Sequence, residues 1–239
     1  MGTRPPRTRP MRKPVSTTPS WVAPVAVVAG IALLVVAFLV IRWYTTPLPP
    51  KPLTVDATQQ VVASITSLSQ TELDAVATGS ANNLIKKVSG TALTGPNGHP
   101  EVFYMGAEYC PYCAAERWPM IIALSRFGTF SGLKTTSSSS SDVYPNTPTF
   151  TFHGATYVSQ YVDFGNGYAF SGAMYLPEAL AGMSWQAVAD SLLQPSSTQA
   201  KAILGSANLI TAAVCKLTED QPAAVCSSST IQGIEKTLG

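Results

Sequence analysis

Between Trp21 and Ile41 the chain carries 21 consecutive uncharged residues, WVAPVAVVAGIALLVVAFLVI. At about 1.5 Å per residue a helix of this run crosses a hydrocarbon core of roughly 30 Å, so a membrane span over 21–44 is expected. Pro24 falls in its first turn, where a missing N–H is tolerated. Trp21, Trp43 and Tyr44 stand where aromatic interface anchors belong. The run is longer than the apolar centre of a cleaved signal peptide and no clear small-residue cleavage site follows it, which favours a retained anchor over a signal peptide.

Beyond the anchor the pattern changes three times. TTPLPPKPL (45–53) holds four prolines and reads as an extended, semi-rigid linker. Helical spacing follows at Val61, Val62, Ile65 and Leu68, with Asp56 as the expected cap. A short helix is expected from Thr71, where TELD resembles a capping box and Gly79 a stop. The turn-rich GPNGHP (95–100) then delivers the chain into EVFYMGA, a strand, the sequence CPYC, and a helical stretch from Ala114 to Phe127 that ends before Gly128. LKTTS (133–137) predicts a strand and the serine run 137–141 a loop. TFTF (149–152) and ATYVSQYVDF (155–164) predict an antiparallel hairpin turning at His153–Gly154. After Gly172 the spacing is helical again: SWQAVADSLL capped by Ser184, then about 198–215, then about 230–238. Residues 54–239 suffice for one core, and the order of strands and helices predicts a three-layer α/β domain.

The formal charge of +2 hides an asymmetry. Arg4, Arg7, Arg9, Arg12 and Lys13 precede the apolar run with no acid among them, whereas the near outer flank holds only Arg42 and Lys51. By the positive-inside rule the N-terminus is cytoplasmic and residues 45–239 lie on the outer side of a bacterial cell membrane, in single-pass topology. The remainder of the chain is net acidic, which argues against nucleic acid as a partner. All four cysteines fall on the expected outer side, where an oxidising compartment lets disulfides persist.

Two of those cysteines lie in AEYCPYC (107–113) at the start of a predicted helix. Cys110 sits near the helix N-terminus, where unpaired N–H groups and the positive end of the dipole favour a thiolate. Cys113 is one turn deeper on the same side, placed to attack a mixed disulfide on Cys110 and release the product. Pro111 suits the first helical position, and Tyr112 offers a surface to an incoming peptide. A Cys110–Cys113 redox disulfide is thus favoured over two rivals. A metal clip needs further ligands, and His99 and His153 have no paired spacing; an inert bridge over so short a loop constrains the unfolded chain little. Cys215 and Cys226 close a loop of about twelve residues and read as a structural disulfide worth roughly 3 kcal/mol, with an electron relay as the alternative. Asp163-Phe164-Gly165 matches a kinase tripeptide in letters only.

The string AEYCPYC resembles the active site of the thioredoxin-like superfamily. The longer GAEYCPYCAAERW, with LSRFGTFSGL and YPNTPTFTF, is similar to a prokaryotic family catalogued as domain of unknown function 929 (DUF929), over most of residues 55–239. The resemblance implies a thioredoxin-like three-layer α/β domain with extra helices behind one transmembrane helix. It implies thiol-disulfide exchange on exported protein thiols or disulfides, with a membrane redox partner as a further candidate and no cofactor or metal. It also implies a cis peptide at Thr147-Pro148, or less well at Pro145, with the Thr147 backbone binding substrate. The pattern departs at Tyr104, which stands where thioredoxins carry a buried Asp. Glu116, or less well Glu108, is the candidate replacement as proton acceptor. Only about ten residues separate LKTTS from Thr147, too few for the helix usual there. The competing reading is a non-enzymatic anchored binding or assembly subunit of a membrane complex, with metal delivery among its roles.

Overall fold

The computed structural model describes residues 19, 21–45, 48–81, 85, 89–167 and 177–238. The chain divides into two units, residues 1–46 and 47–239. In the first, α1 (Val22–Thr45) has no buried residue and is long and apolar enough to cross a membrane. The basic tail before it lies outside the described residues, as does the stretch 168–176.

The second unit mixes helices with short strands. Helix α2 (Val55–Thr66) is capped by Thr54 rather than Asp56, which falls in its first turn. Helix α3 (Gln70–Val76) opens with a full capping box, Ser69 and Glu72 exchanging side-chain and backbone hydrogen bonds, two residues before the expected start. Then come β1 (Glu101–Met105), α4 (Pro111–Leu124), β2 (Gly128–Ser131), β3 (Lys134–Ser137), β4 (Pro148–Thr151), β5 (Thr156–Ser159) and β6 (Asp163–Gly167). Five helices complete the chain: α5 (Pro177–Leu180), α6 (Trp185–Leu192), α7 (Thr198–Leu217), α8 (Ala223–Cys226) and α9 (Ser229–Glu235).

The strands pair differently from the expected hairpin. β4 pairs antiparallel with β3, β5 antiparallel with β2, and β6 parallel with β1, giving three two-stranded ladders among the described residues. The reason lies in what surrounds β4. Its carbonyls at Pro148, Thr149 and Phe150 accept hydrogen bonds from Trp118 Nε1 (2.8 Å), Trp185 Nε1 (2.6 Å) and Arg117 Nη1 (3.3 Å). Helices α4 and α6 occupy places that a hairpin partner would need, and β5 turns away at Phe152–Ala155 to join β2. Residue Asp163 opens β6 as a structural acid: its oxygens accept from the Asn97 amide groups at 3.0 Å and 2.6 Å, which lowers its acidity range and pins the Gly95–His99 turn.

The core gathers α4 and α7 with α2, α3, α6 and α9 around Trp118, Ile121, Leu124, Phe150 and Leu204, all essentially inaccessible. Helix α7 is itself apolar enough to span a membrane, but it is largely buried as the domain's central helix. The end of α3 is pressed onto it: Asn208 Nδ2 donates to the Leu73 and Ala77 carbonyls at 2.8 Å each. Gly205 makes that approach feasible, because a Cβ there would lie 2.2 Å from the Thr78 carbonyl oxygen. The Cys215–Cys226 disulfide joins α7 to α8 with both residues fully buried. That burial leaves no approach for an attacking thiol, which suits a structural bridge better than a relay. Gly205→Ala in the full chain is expected to destabilise the fold by about 1–3 kcal/mol, read as a lowered denaturation midpoint; an unchanged midpoint would show that α3 is not held this closely.

Candidate functional site

The site is built where β1 hands the chain to α4. Cys110 is the N-cap of α4 with extended backbone (φ −78°, ψ 124°), and Pro111 occupies the first turn, as the spacing predicts. The Cys110 Sγ accepts the Cys113 amide at 3.5 Å, while the Cys110 N–H donates to the Ala107 carbonyl at 3.3 Å. The cysteine at the cap is thus held in the position where α4 presents unpaired donors. Both cysteines are free thiols, so the structure shows the dithiol form rather than the Cys110–Cys113 disulfide. The two differ in access: Cys110 is partly exposed and Cys113 is 0 % exposed.

Burial pushes the Cys113 thiol up, and proximity to Cys110 adds to this; a hydrogen bond to the Ala107 backbone and the Arg117 charge pull the other way. Tyr104, on β1, donates from its hydroxyl to the Cys113 carbonyl at 3.2 Å. Its burial holds the phenol well above the usual range, so this residue serves as a neutral donor in the place where the resemblance led one to look for an acid.

Glu116 does not meet the role of resident base in the form expected. Its Oε2 is sealed from solvent with no hydrogen-bond partner among the described residues, and burial raises the carboxyl to about 8. At neutral pH it therefore carries its proton and must first give it up before it can accept one. Glu108, the other candidate, is engaged at both oxygens: Oε1 accepts from Thr151 Oγ1 at 2.8 Å and Oε2 from Arg117 at 3.4 Å.

Thr147 and Pro148 are brought beside the cysteine helix, since Thr149 Oγ1 donates to the Ala114 carbonyl at 2.6 Å. Two implied features are nevertheless corrected. The Thr147–Pro148 peptide is trans; among the described residues the cis bond is at Gln221–Pro222. And Thr147, 0 % exposed, offers no free backbone to a substrate: its N–H donates to Ser138 Oγ at 3.0 Å and its carbonyl accepts the Ser138 amide at 3.0 Å. The cause is the antiparallel β3–β4 pairing, whose Ser137–Pro148 register extends one step further into the loop. The serine run is accordingly more than a spacer. Ser138 closes on Thr147, and the Ser139 amide donates to the Tyr109 carbonyl at 2.9 Å, fastening the loop to the residue before Cys110. On the rim Tyr112, 38 % exposed, packs edge-on against Tyr144 with ring centroids 5.8 Å apart.

Arg117 was not singled out by the sequence reading. One positive residue inside the apolar stretch AAERWPMIIAL, one turn beyond Cys113, is the signal that marks it. Among the described residues no group of three or more His, Cys, Asp or Glu side chains is gathered to hold a metal, and the donor set at the pair is two thiols alone.

With this geometry in place, the family model described as a domain of unknown function (DUF929) matches residues 83–167. The chain resembles that family over a segment that includes Tyr104, Glu108, both cysteines, Arg117 and Pro148, narrower than the 55–239 expected. No curated protein and no solved structure matches the chain.

Burial of Glu116 has a consequence for stability. A carboxyl at about 8 in the fold, against 4.5 free, retains its proton in the native state, so stability is full below about pH 4.5 and falls as pH rises through 8. The loss approaches about 1.4 kcal/mol per pH unit inside that window. Glu116→Gln is expected to flatten denaturant midpoints measured between pH 5 and 8; a wild-type curve already flat there would show the carboxyl to be ionised.

Proposed function

We propose that this chain is a thiol-disulfide oxidoreductase, held at the outer face of the cell membrane by α1 and acting on exported proteins. The observation that carries the reading is the asymmetry of one cysteine pair on one helix end. An accessible sulfur at the N-cap of α4 stands in front of a buried one whose amide already points at it. The accessible Cys110 attacks a substrate disulfide as thiolate; one substrate sulfur departs, and Cys110 is left in a mixed disulfide. Cys113 then displaces the second substrate sulfur, leaving a Cys110–Cys113 disulfide and a reduced substrate. Run backwards, the same steps oxidise a dithiol.

The strand–turn–helix that bears the pair supports a thioredoxin-like arrangement for β1–α4. The trans Thr147–Pro148 bond and the separate strand ladders make it a departure from that pattern at the β3–β4 side. Outward placement of the domain rests on the basic residues before α1 and on the buried Cys215–Cys226 disulfide, which needs an oxidising compartment to persist. One observation favours the second reading, an anchored assembly subunit without turnover: the Thr147 backbone, on which a peptide substrate would dock, is occupied by Ser138.

The full chain in detergent separates these readings. Wild type is expected to reduce insulin or to oxidise a reduced test protein, Cys110→Ser to fall to the background rate in both assays, and Cys113→Ala to accumulate a reducible adduct at Cys110. Turnover indistinguishable from Cys110→Ser, with no adduct trapped, would leave the assembly reading in its place.

A further inference from the structure

Arg117 is the most deeply buried cation of the described residues around the cysteine pair, at 1 % exposure. Its Nη2 donates to the Ala107 carbonyl at 3.0 Å, the same carbonyl that accepts the Cys110 amide at 3.3 Å. Its Nη1 reaches the Phe150 carbonyl at 3.3 Å and Glu108 Oε2 at 3.4 Å, while Nε has no hydrogen-bond partner. The guanidinium carbon stands 5.9 Å from the centre of the Tyr104 ring, whose hydroxyl holds the Cys113 carbonyl. A buried ion normally requires close compensation. Here the paired carboxylate is at the long end of hydrogen-bonding range, and the Glu108 side chain is 39 % exposed, so water screens it. Positive potential is left over inside the site, one helical turn from Cys113.

Resting on the thiol-disulfide reading above, we infer that Arg117 is the positioning residue of the pair: its guanidinium fixes the Ala107–Glu108 turn against α4 and supplies the positive field in which Cys113 becomes the resolving thiolate. In that step the Cys113 thiol loses its proton to solvent and its sulfur attacks Cys110 Sγ. The Cys110–substrate S–S bond breaks, the electron pair leaves on the substrate sulfur, and that sulfur takes up a proton from solvent. Atoms and electrons balance with the substrate disulfide as the oxidant.

The groups that surround Cys113 leave few other sources for this field. Its own helix presents Cys110, Glu116 and Arg117; β1 presents Tyr104, a neutral phenol; the turn presents Glu108 and the Ala107 backbone. Glu116 is uncharged at neutral pH and Glu108 is anionic, so Arg117 is the cation of the set. A buried Arg in place of an acid solves the proton problem from the other direction: it makes the anion cheaper rather than providing a base to receive the proton.

The probe is 5,5′-dithiobis(2-nitrobenzoate) added to the reduced full chain in detergent. The first nitrothiobenzoate released reports attack by Cys110 and the second reports resolution by Cys113, each followed against pH. Arg117→Met is expected to slow the second release about tenfold at pH 7 and to move its pH midpoint up by about one unit. Arg117→Lys should return the midpoint toward wild type, which a merely structural role would not do. Glu108→Gln, which removes the opposing charge, should move the midpoint down. A folded Arg117→Met protein with the wild-type midpoint in its second release would overturn the inference and leave the two-step thiol chemistry standing. Should Arg117→Met not fold, an unmoved midpoint in Glu108→Gln overturns it equally. If wild type gives no second release at all, both the inference and the oxidoreductase reading fall together.

Discussion

Three side-chain hydrogen bonds tie helix α4 to strand β4: Thr149 to the Ala114 carbonyl, Trp118 to the Pro148 carbonyl, and Arg117 to the Phe150 carbonyl. All are buried, so each replaces a hydrogen bond that water cannot supply, and losing one partner strands the other at a penalty of about 1–3 kcal/mol. This clamp sets the depth of α4 relative to the strand, and with it the place of the cysteine pair beside β4. Ring packing reinforces it, with Trp118 edge-on to Phe150 at 4.8 Å between centroids. The far side of α4 rests on α7, whose Gly205 lets the chain after α3 come close. The proposed redox pair needs such a frame, because sulfur reactivity at the cap depends on where the helix begins.

The helix that carries the chemistry was legible because its signals are local. Pro111 at the first position, Cys110 before it and an apolar run after it define the start of α4, and the structure begins the helix there. The same holds for α6, capped by Ser184, and for α7, which begins at Thr198. What escaped was set by residues far apart in the sequence. Nothing in TFTF says that Trp185 and Arg117 will take its carbonyls, so the adjacent ATYVS looked like its natural partner. Alternating strand patterns specify a face and not a neighbour.

The same limit applied to the site. Thr147 reads as a docking residue from its neighbour Pro148, and only the third dimension brings Ser138 across to occupy both of its backbone groups. Glu116 reads as a base because it is an acid one turn from Cys113; burial then keeps it protonated and uncharged at neutral pH. Arg117 was the more informative residue of the pair. A charge set within AAERWPMIIAL beside Trp118 has either to snorkel outward or to be compensated inside, and here it turns inward.

The balance of forces on Cys113 gives the proposed chemistry its order. Burial and the neighbouring Cys110 raise its thiol, Arg117 and the Ala107 hydrogen bond lower it, and the net direction is upward. Burial therefore wins in the dithiol, and the deeper sulfur stays a neutral thiol while Cys110 is the one that meets solvent. Once Cys110 is tied up in a mixed disulfide, the like-charge neighbour that opposed ionisation at Cys113 is gone, while Arg117 stays where the turn holds it. The opposition shrinks at the moment the resolving anion is required. A site arranged this way discourages the two sulfurs from ionising together and lets the second follow the first, which is what separates a two-step exchange from two independent thiols.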